Sequence, residues 1–212
     1  MKKLCVALMA ITALVAVTRD AAARKPIRRG SLNLSGAPAK GSEEALVTII
    51  LFFNFRCSYG NYVFNAFHDI ERDHPGMFRL YFRHHAINRY NRTALLAAQA
   101  AMAAHVQGKF WDMAEILFRN RYNINTKNLE TYAQEIGMKL KPFKAAMRKT
   151  IYRSRVEREV ALSKKFLRGS TSCPVVWING KQMSGYISTY RLKNMLRNAA
   201  REVSGIRIRP LL

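Results

Sequence analysis

The eleven residues Ala45–Phe55, ALVTIILFFNF, constrain the fold more than any other part of this 212-residue chain. They are dense in β-branched and aromatic side chains and lack the apolar–polar alternation of a strand with one wet face. Such a run fits a strand buried on both sides, and that environment needs layers of helix above and below a sheet. One cysteine, Cys57, follows at once. Helical residues then run from about Ser58 to Arg72 and stop near His74-Pro75-Gly76, a turn signal. Met77–Phe82 (MFRLYF) alternates and reads as a second strand, so the segment is a strand–helix–strand unit.

Helical patterns fill the middle of the chain. Thr93 is placed to cap an alanine-rich run through Val106, with a break at Gln107-Gly108. Lys109–Phe118 resumes the pattern, Asn128–Ile136 forms a short helix ended by Gly137, and Pro142 suits the first turn of another. Tyr152–Leu167 is a longer helix with Val156, Val160 and Leu167 along one side. Val175–Ile178 and Gln182–Gly185 flank Asn179-Gly180, a two-residue hairpin signal, and Ser188–Val203 closes the chain as a helix. The order predicts an α/β fold with a small mixed sheet covered by helices.

The first 23 residues read as a cleaved secretory signal: Lys2 and Lys3, the apolar stretch Leu4–Val17, then Ala21-Ala22-Ala23 before Arg24. Residues 24–44 are basic and then rich in Gly, Ser, Pro and Ala, and read as a flexible leader. Residues 45–203 form the domain, and 204–212 a basic tail. Export implies a periplasmic or secreted protein, where disulfides persist. Cys5 leaves with the signal, so only Cys57 and Cys173 remain, too few for a disulfide scaffold. The formal charge is +23, of which the signal accounts for +2, leaving +21. Such a charge attracts anions. Without a zinc finger, RNA-recognition signature or phosphate loop, an anionic envelope surface is the expected partner rather than nucleic acid.

Four motifs in order carry a resemblance: FFNFRCSYG at the strand-to-helix junction, FRLYFRHHAIN, ALLAAQAAMAAHVQGKFWDMAEILF and CPVVWINGKQMSGY. Together they resemble the DsbA-like thiol–disulfide oxidoreductases of the thioredoxin superfamily, over roughly residues 45–200. The resemblance implies a thioredoxin-like fold with an inserted helical domain at about 93–150. It implies a catalytic Cys57, a helix mouth shaped by Ser58, Tyr59 and Gly60, and a cis-proline at Pro174 that shapes a substrate-binding strand. Extended polypeptide substrates, a redox partner protein and no cofactor beyond the sulfurs follow from it. Two departures stand out: the family's second active-site cysteine falls on Gly60, and the residue before the cis-proline is Cys173. Carried onto this chain, the family's fold makes Cys57 and Cys173 neighbours, so that Cys173 becomes the resolving thiol.

The residues alone leave two readings of Cys57 open. A cysteine at a helix mouth meets unpaired N–H groups and the positive end of the dipole, which favour a thiolate, and Arg56 adds positive charge. A free cysteine is commonly a small buried apolar group, and the residues alone favour that reading. Without a second sulfur at position 60, a mixed disulfide at Cys57 needs another thiolate to release it. Cys173 is read either as that thiolate or as filler of a small site. Two further functions stay in view: a non-catalytic, chaperone-like peptide binder, and a soft-metal site for Cu(I) or Zn(II) at the two sulfurs. His68, His74, His84, His85 and His105 lack metal-motif spacing; His84 matches the family's structural histidine, and His84 and His85 point to opposite faces of a strand. Residues 139–168 carry eleven Lys/Arg against two Glu, a solvated helical face or an anion-docking one.

Overall fold

The computed structural model describes residues 32–86 and 91–204. The expected signal at 1–23, the first part of the leader and nearly all of the basic tail lie outside the described residues.

Five strands form one mixed sheet in the order β1-β3-β2-β4-β5. The central pair, β2 (Val47–Phe53) and β3 (Phe78–His84), is parallel and joined by helix α1 (Gly60–Asp73). Strand β4 (Val175–Ile178) lies antiparallel to β2, with β5 (Lys181–Ser184) beyond it. The β4–β5 turn is Asn179-Gly180, with φ of 41° and 99°, the positive pair that a two-residue primed turn needs. Asn179 also ties back to β2: its side chain accepts from Thr48 N at 2.9 Å, and its N–H donates to Thr48 O at 3.2 Å.

The missing alternation of β2 has a direct cause. Val47, Ile49, Leu51 and Phe53 face a large core that includes Val63, Phe67 and Ile70 of α1 and Leu192 and Leu196 of α7 (Thr189–Ser204). Ile50 and Phe52 face a second core with Val175, Trp177 and Leu167. Both sets are fully buried, so a polar residue would be out of place on either face.

Between β3 and β4 lie five helices: α2 (Arg92–His105), α3 (Phe110–Arg119), α4 (Thr126–Glu135), α5 (Leu140–Arg148) and α6 (Arg153–Phe166). Helix α2 is the centre of this block, packing on the other four, and ten of its fourteen residues are buried. Alanine at most of those positions lets neighbouring helices approach closely. Its cap is Asn91, which accepts from Ala94 N at 3.0 Å, in place of the expected Thr93. Helix α4 starts two residues earlier than expected because Asn125 accepts from Asn128 N at 2.9 Å. Helix α6 packs on β3 as well as on α2, so the helical block returns to cover the sheet.

One expectation is corrected. The part of the 24–44 leader that is described does not behave as a free leader. Ala39–Gly41 forms edge strand β1, antiparallel to β3, while Leu32 and Leu34 pack on the second core and Ala37 is buried. Tertiary contacts supply what the sequence of this segment lacks. Phe82 N donates to Pro38 O at 2.9 Å, Trp111 Nε1 to Ala39 O at 3.0 Å and Arg155 to Gly36 O at 2.6 Å. The guanidinium of Arg83 donates to Asn33 O and sits 3.6 Å from the Glu159 carboxylate, both side chains almost fully buried.

Candidate thiol site

The site starts where β2 ends. Asn54 is buried and turns the chain: its side-chain oxygen accepts from Arg56 N at 2.9 Å, and its carbonyl accepts from Cys57 N at 3.1 Å. Its amide donates to Ala86 O at 3.0 Å, beyond the end of β3, and to the sulfur of Cys173 at 3.8 Å. One side chain thus holds together the helix mouth, the end of β3 and the loop before β4.

That loop carries a cis peptide bond between Cys173 and Pro174, and Pro174 O accepts from Gly185 N at 2.9 Å. The arrangement sets Cys173 against Cys57. Both are free thiols, and each is the strongest influence on the other's titration although 116 positions separate them in sequence. Cys57 is 7% exposed; Cys173 is half-buried.

Electrostatics distinguish the two sulfurs. The Cys173 hydrogen bond lowers the Cys57 thiol most, against burial, which acts in the opposite sense; the N–H groups of Tyr59 and Gly60 and the charge of Arg121 lower it further. Tyr59 sits at the α1 N-cap with no side-chain cap hydrogen bond, and the Gly60 N–H donates to Cys57 O at 3.1 Å. Cys173 is pushed up by the same bond, by burial and by the charge forming on Cys57. The first proton the pair loses therefore comes from Cys57, with Cys173 keeping its own.

Gly60 is more than the absence of a sulfur. A Cβ there would lie 2.9 Å from Cε1 of Phe118 and 3.3 Å from Cβ of Cys57. Phe118 is itself buried among Phe53, Phe55 and Phe64. An aromatic ring from α3 occupies the room that a side chain at position 60 would take.

The helical block supplies a second element. Arg121, in the α3–α4 connection, donates to Ser58 O at 3.1 Å and to the Tyr122 hydroxyl at 2.7 Å, and its own carbonyl accepts from Arg56. Both guanidinium groups stack on the Tyr122 ring, at 4.6 and 5.4 Å from its centroid. Opposite the helix mouth, Tyr186 packs edge-on to Tyr59 and Tyr62, at 5.6 and 6.5 Å. Sequence reasoning singled out neither Asn54, Phe118, Arg121 nor Tyr186. The Asn-Phe-Arg run before Cys57 carried a signal for the first; the others carried none, being distant in the chain.

His84 is buried against Phe55 and Phe82 and burial holds its pKa down to about 4, so it is neutral near pH 7. His85 packs against Phe52, in the other core. Neither supports a metal, and among the described residues no group of three or more His, Cys, Asp or Glu converges. Tetrahedral zinc asks for more ligands than the two sulfurs provide.

A cysteine at a helix mouth after the first parallel strand, faced by a cis-proline loop, in a mixed sheet interrupted by a helical block, defines a thioredoxin-like fold of the DsbA type. The chain belongs to the thioredoxin family, whose sequence profile matches residues 34–198. Similar solved structures include BdbD from Bacillus subtilis, oxidised form (22% identity, TM-score 0.70, 80% of this chain and 95% of that one). The thiol–disulfide exchange protein α-DsbA2 from Wolbachia pipientis is similar at 17% identity and TM-score 0.66, over 76% and 86% of the two chains. The catalytic domain of Proteus mirabilis ScsC gives 14% and 0.65, over 79% and 91%. Curated relatives include proteins named Na(+)/H(+) antiporter NhaA. That of Herminiimonas arsenicoxydans is 25% identical over 69% of this chain and 23% of its own length; one from Mycolicibacterium gilvum is 28% identical over 69% and 24%. The chain spans about a quarter of the length of these relatives. No helix among the described residues is long and apolar enough to cross a membrane.

Proposed function

We propose that the chain is an exported thiol–disulfide oxidoreductase whose two working sulfurs, Cys57 and Cys173, lie on separate elements. The observation that carries the reading is that Asn54 and the cis Cys173-Pro174 bond bring a lowered thiol at the helix mouth and a raised thiol beside the cis-proline to one place. In the reducing direction, the Cys57 thiolate attacks a substrate disulfide: one substrate sulfur bonds to Cys57 and the other leaves as a thiolate. Cys173, deprotonated as it attacks, then displaces the substrate from Cys57. A Cys57–Cys173 disulfide forms, and the substrate leaves carrying two electrons. A dithiol partner resets the pair, and the same steps reversed describe oxidation. Ser58, Tyr59, Gly60 and Pro174 shape the surface on which extended substrate rests.

Export rests on residues 1–23, with the charged start, apolar stretch and alanine triplet of a cleaved signal; the working domain runs to 203 and takes in β1 and the packed residues before it, and 204–212 is a basic tail. Periplasmic or extracellular placement, and an anionic envelope surface as neighbour of the basic chain, belong to the same reading.

The test is trapping. In the reading proposed, Cys173→Ala accumulates mixed disulfides at Cys57, Cys57→Ser accumulates none, and the unmutated protein in mild oxidant yields a Cys57–Cys173 linked peptide by mass spectrometry. Absence of both the linked peptide and the trapped adducts leaves a non-catalytic peptide binder, a reading favoured by the filled space at position 60.

A further inference from the structure

Arg56 and Arg121 sit half-buried beside Cys57, held by Tyr122 and by backbone carbonyls, and among the described residues neither has a carboxylate within 4 Å. Three other half-buried or buried arginines, Arg79, Arg83 and Arg155, each have a glutamate. A guanidinium pair pinned in place, partly desolvated and with no carboxylate partner is prepared for an anion from outside, the more so once Cys57 has bonded to substrate and no longer carries charge. Beside it, Tyr59, Tyr62 and Tyr186 form a contiguous aromatic surface, 46%, 62% and 60% exposed. Exposed tyrosines in edge contact offer apolar area with a wet tip, suited to covering a peptide side chain.

We propose that this rim selects extended acidic polypeptide: an aspartate or glutamate within a few residues of the substrate cysteine meets Arg56 and Arg121, while an apolar side chain next to that cysteine lies on Tyr59, Tyr62 and Tyr186. The proposal rests on the exchange reading above and names its substrate class. Charge complementarity decides the occupant. The chain as a whole is +23, so a basic peptide is repelled at long range and finds no carboxylate at the rim. A carboxylate beside the attacked sulfur also lies near the positive end of the α1 dipole.

The experiment uses short peptides with one cysteine, each as a mixed disulfide with thionitrobenzoate and differing only in the flanks: aspartate, glutamine or lysine. Attack by Cys57 on the peptide sulfur leaves the peptide on the protein and releases thionitrobenzoate, read by its absorbance. The aspartate peptide reacts about tenfold or more faster than the lysine peptide at low ionic strength. The order is aspartate, glutamine, lysine, and the gap closes toward 1 M salt. In the Arg56→Gln/Arg121→Gln variant the aspartate-to-lysine ratio falls to a third or less of its original value. Because each ratio compares peptides on one Cys57, it cancels any change in that thiol. A phenylalanine beside the peptide cysteine speeds the reaction in the unmutated protein and loses most of that gain in Tyr186→Ser. Equal rates for the three flanks overturn the proposal and leave exchange standing, as does a ratio unchanged in the double variant, since net charge then accounts for it. A phenylalanine gain unaffected by Tyr186→Ser removes the aromatic half of the rim. No release from any peptide overturns the exchange reading, and this proposal with it.

Discussion

Replacing Gly60 with alanine sets two effects of opposite sign against each other, and the structure says which is larger. Gly60 opens α1, and its backbone lies outside the positive-φ region, so helix preference alone favours alanine by up to about 1 kcal/mol. The new methyl would lie 2.9 Å from Phe118 Cε1, whereas carbon contacts are comfortable at about 3.5–4.0 Å. The ring must therefore retreat by roughly half an ångström or more. It has little room: Phe53, Phe55 and Phe64 hold it at centroid distances of 5.9, 5.1 and 5.0 Å. Overpacking of this kind costs about 1–3 kcal/mol, so Gly60→Ala is a net loss of up to about 2 kcal/mol, and Gly60→Cys, with a sulfur to place, loses more. Urea unfolding of the reduced proteins measures this as a lower midpoint at unchanged slope. Phe118→Leu should relieve the strain, giving a double mutant more stable than the two single losses predict by at least about 0.5 kcal/mol. A Gly60→Ala protein that is more stable than the parent by about 1 kcal/mol would refute the claim that Phe118 fills this space.

Four further outcomes are expected. Cys173→Ala removes the donor that lowers Cys57 most, so the midpoint of the alkylation rate against pH moves up toward the free-thiol value of about 8.5, and Arg121→Gln moves it the same way by less. Because the Cys57 thiol is lowered on folding, the stability it contributes to the reduced protein is complete above about pH 8.5. It is lost as pH falls through the folded value, so urea midpoints of parent and Cys57→Ala should converge at acid pH. Asn54→Ala frees the Cys173 loop and the end of β3, destabilising by about 1–3 kcal/mol in urea unfolding and slowing formation of the Cys57–Cys173 linked peptide. Glu159→Ala strands the buried Arg83 guanidinium and should cost about 3–5 kcal/mol, with amide exchange rising first across residues 33–41.

The sheet was legible where side chains carry the signal. The double burial of β2 is written in ALVTIILFFNF, and Asn179-Gly180 announces its hairpin. Strand β1 was not, because Ala39-Lys40-Gly41 contains no apolar pattern; it exists through its pairing with β3 and the bonds from Trp111 and Phe82. Helix starts were misjudged by a residue or two where asparagine outcompeted the expected cap, as at Asn91. The position of Cys57 at a helix mouth could be read from local order. Its nearness to Cys173 came only through family resemblance, since no local pattern reports a contact across 116 residues. Arg121 and Phe118 were invisible for the same reason: each reaches the sulfur from the helical block, and neighbours in space leave no mark in the adjacent sequence.

Placing the paired sulfurs before α1 and before β4, rather than one turn apart on a single helix, changes what a bond between them would do. It would tie the end of β2 to the start of β4, at one end of the sheet, and close a ring that takes in the entire helical block. Constraining a loop of that length in the unfolded chain is worth roughly 5 kcal/mol, against about 3 for a loop of fifteen residues. Oxidation would then report on folding, and folding on oxidation: whatever loosens the helical block must also shift the electron affinity of the pair by the matching amount.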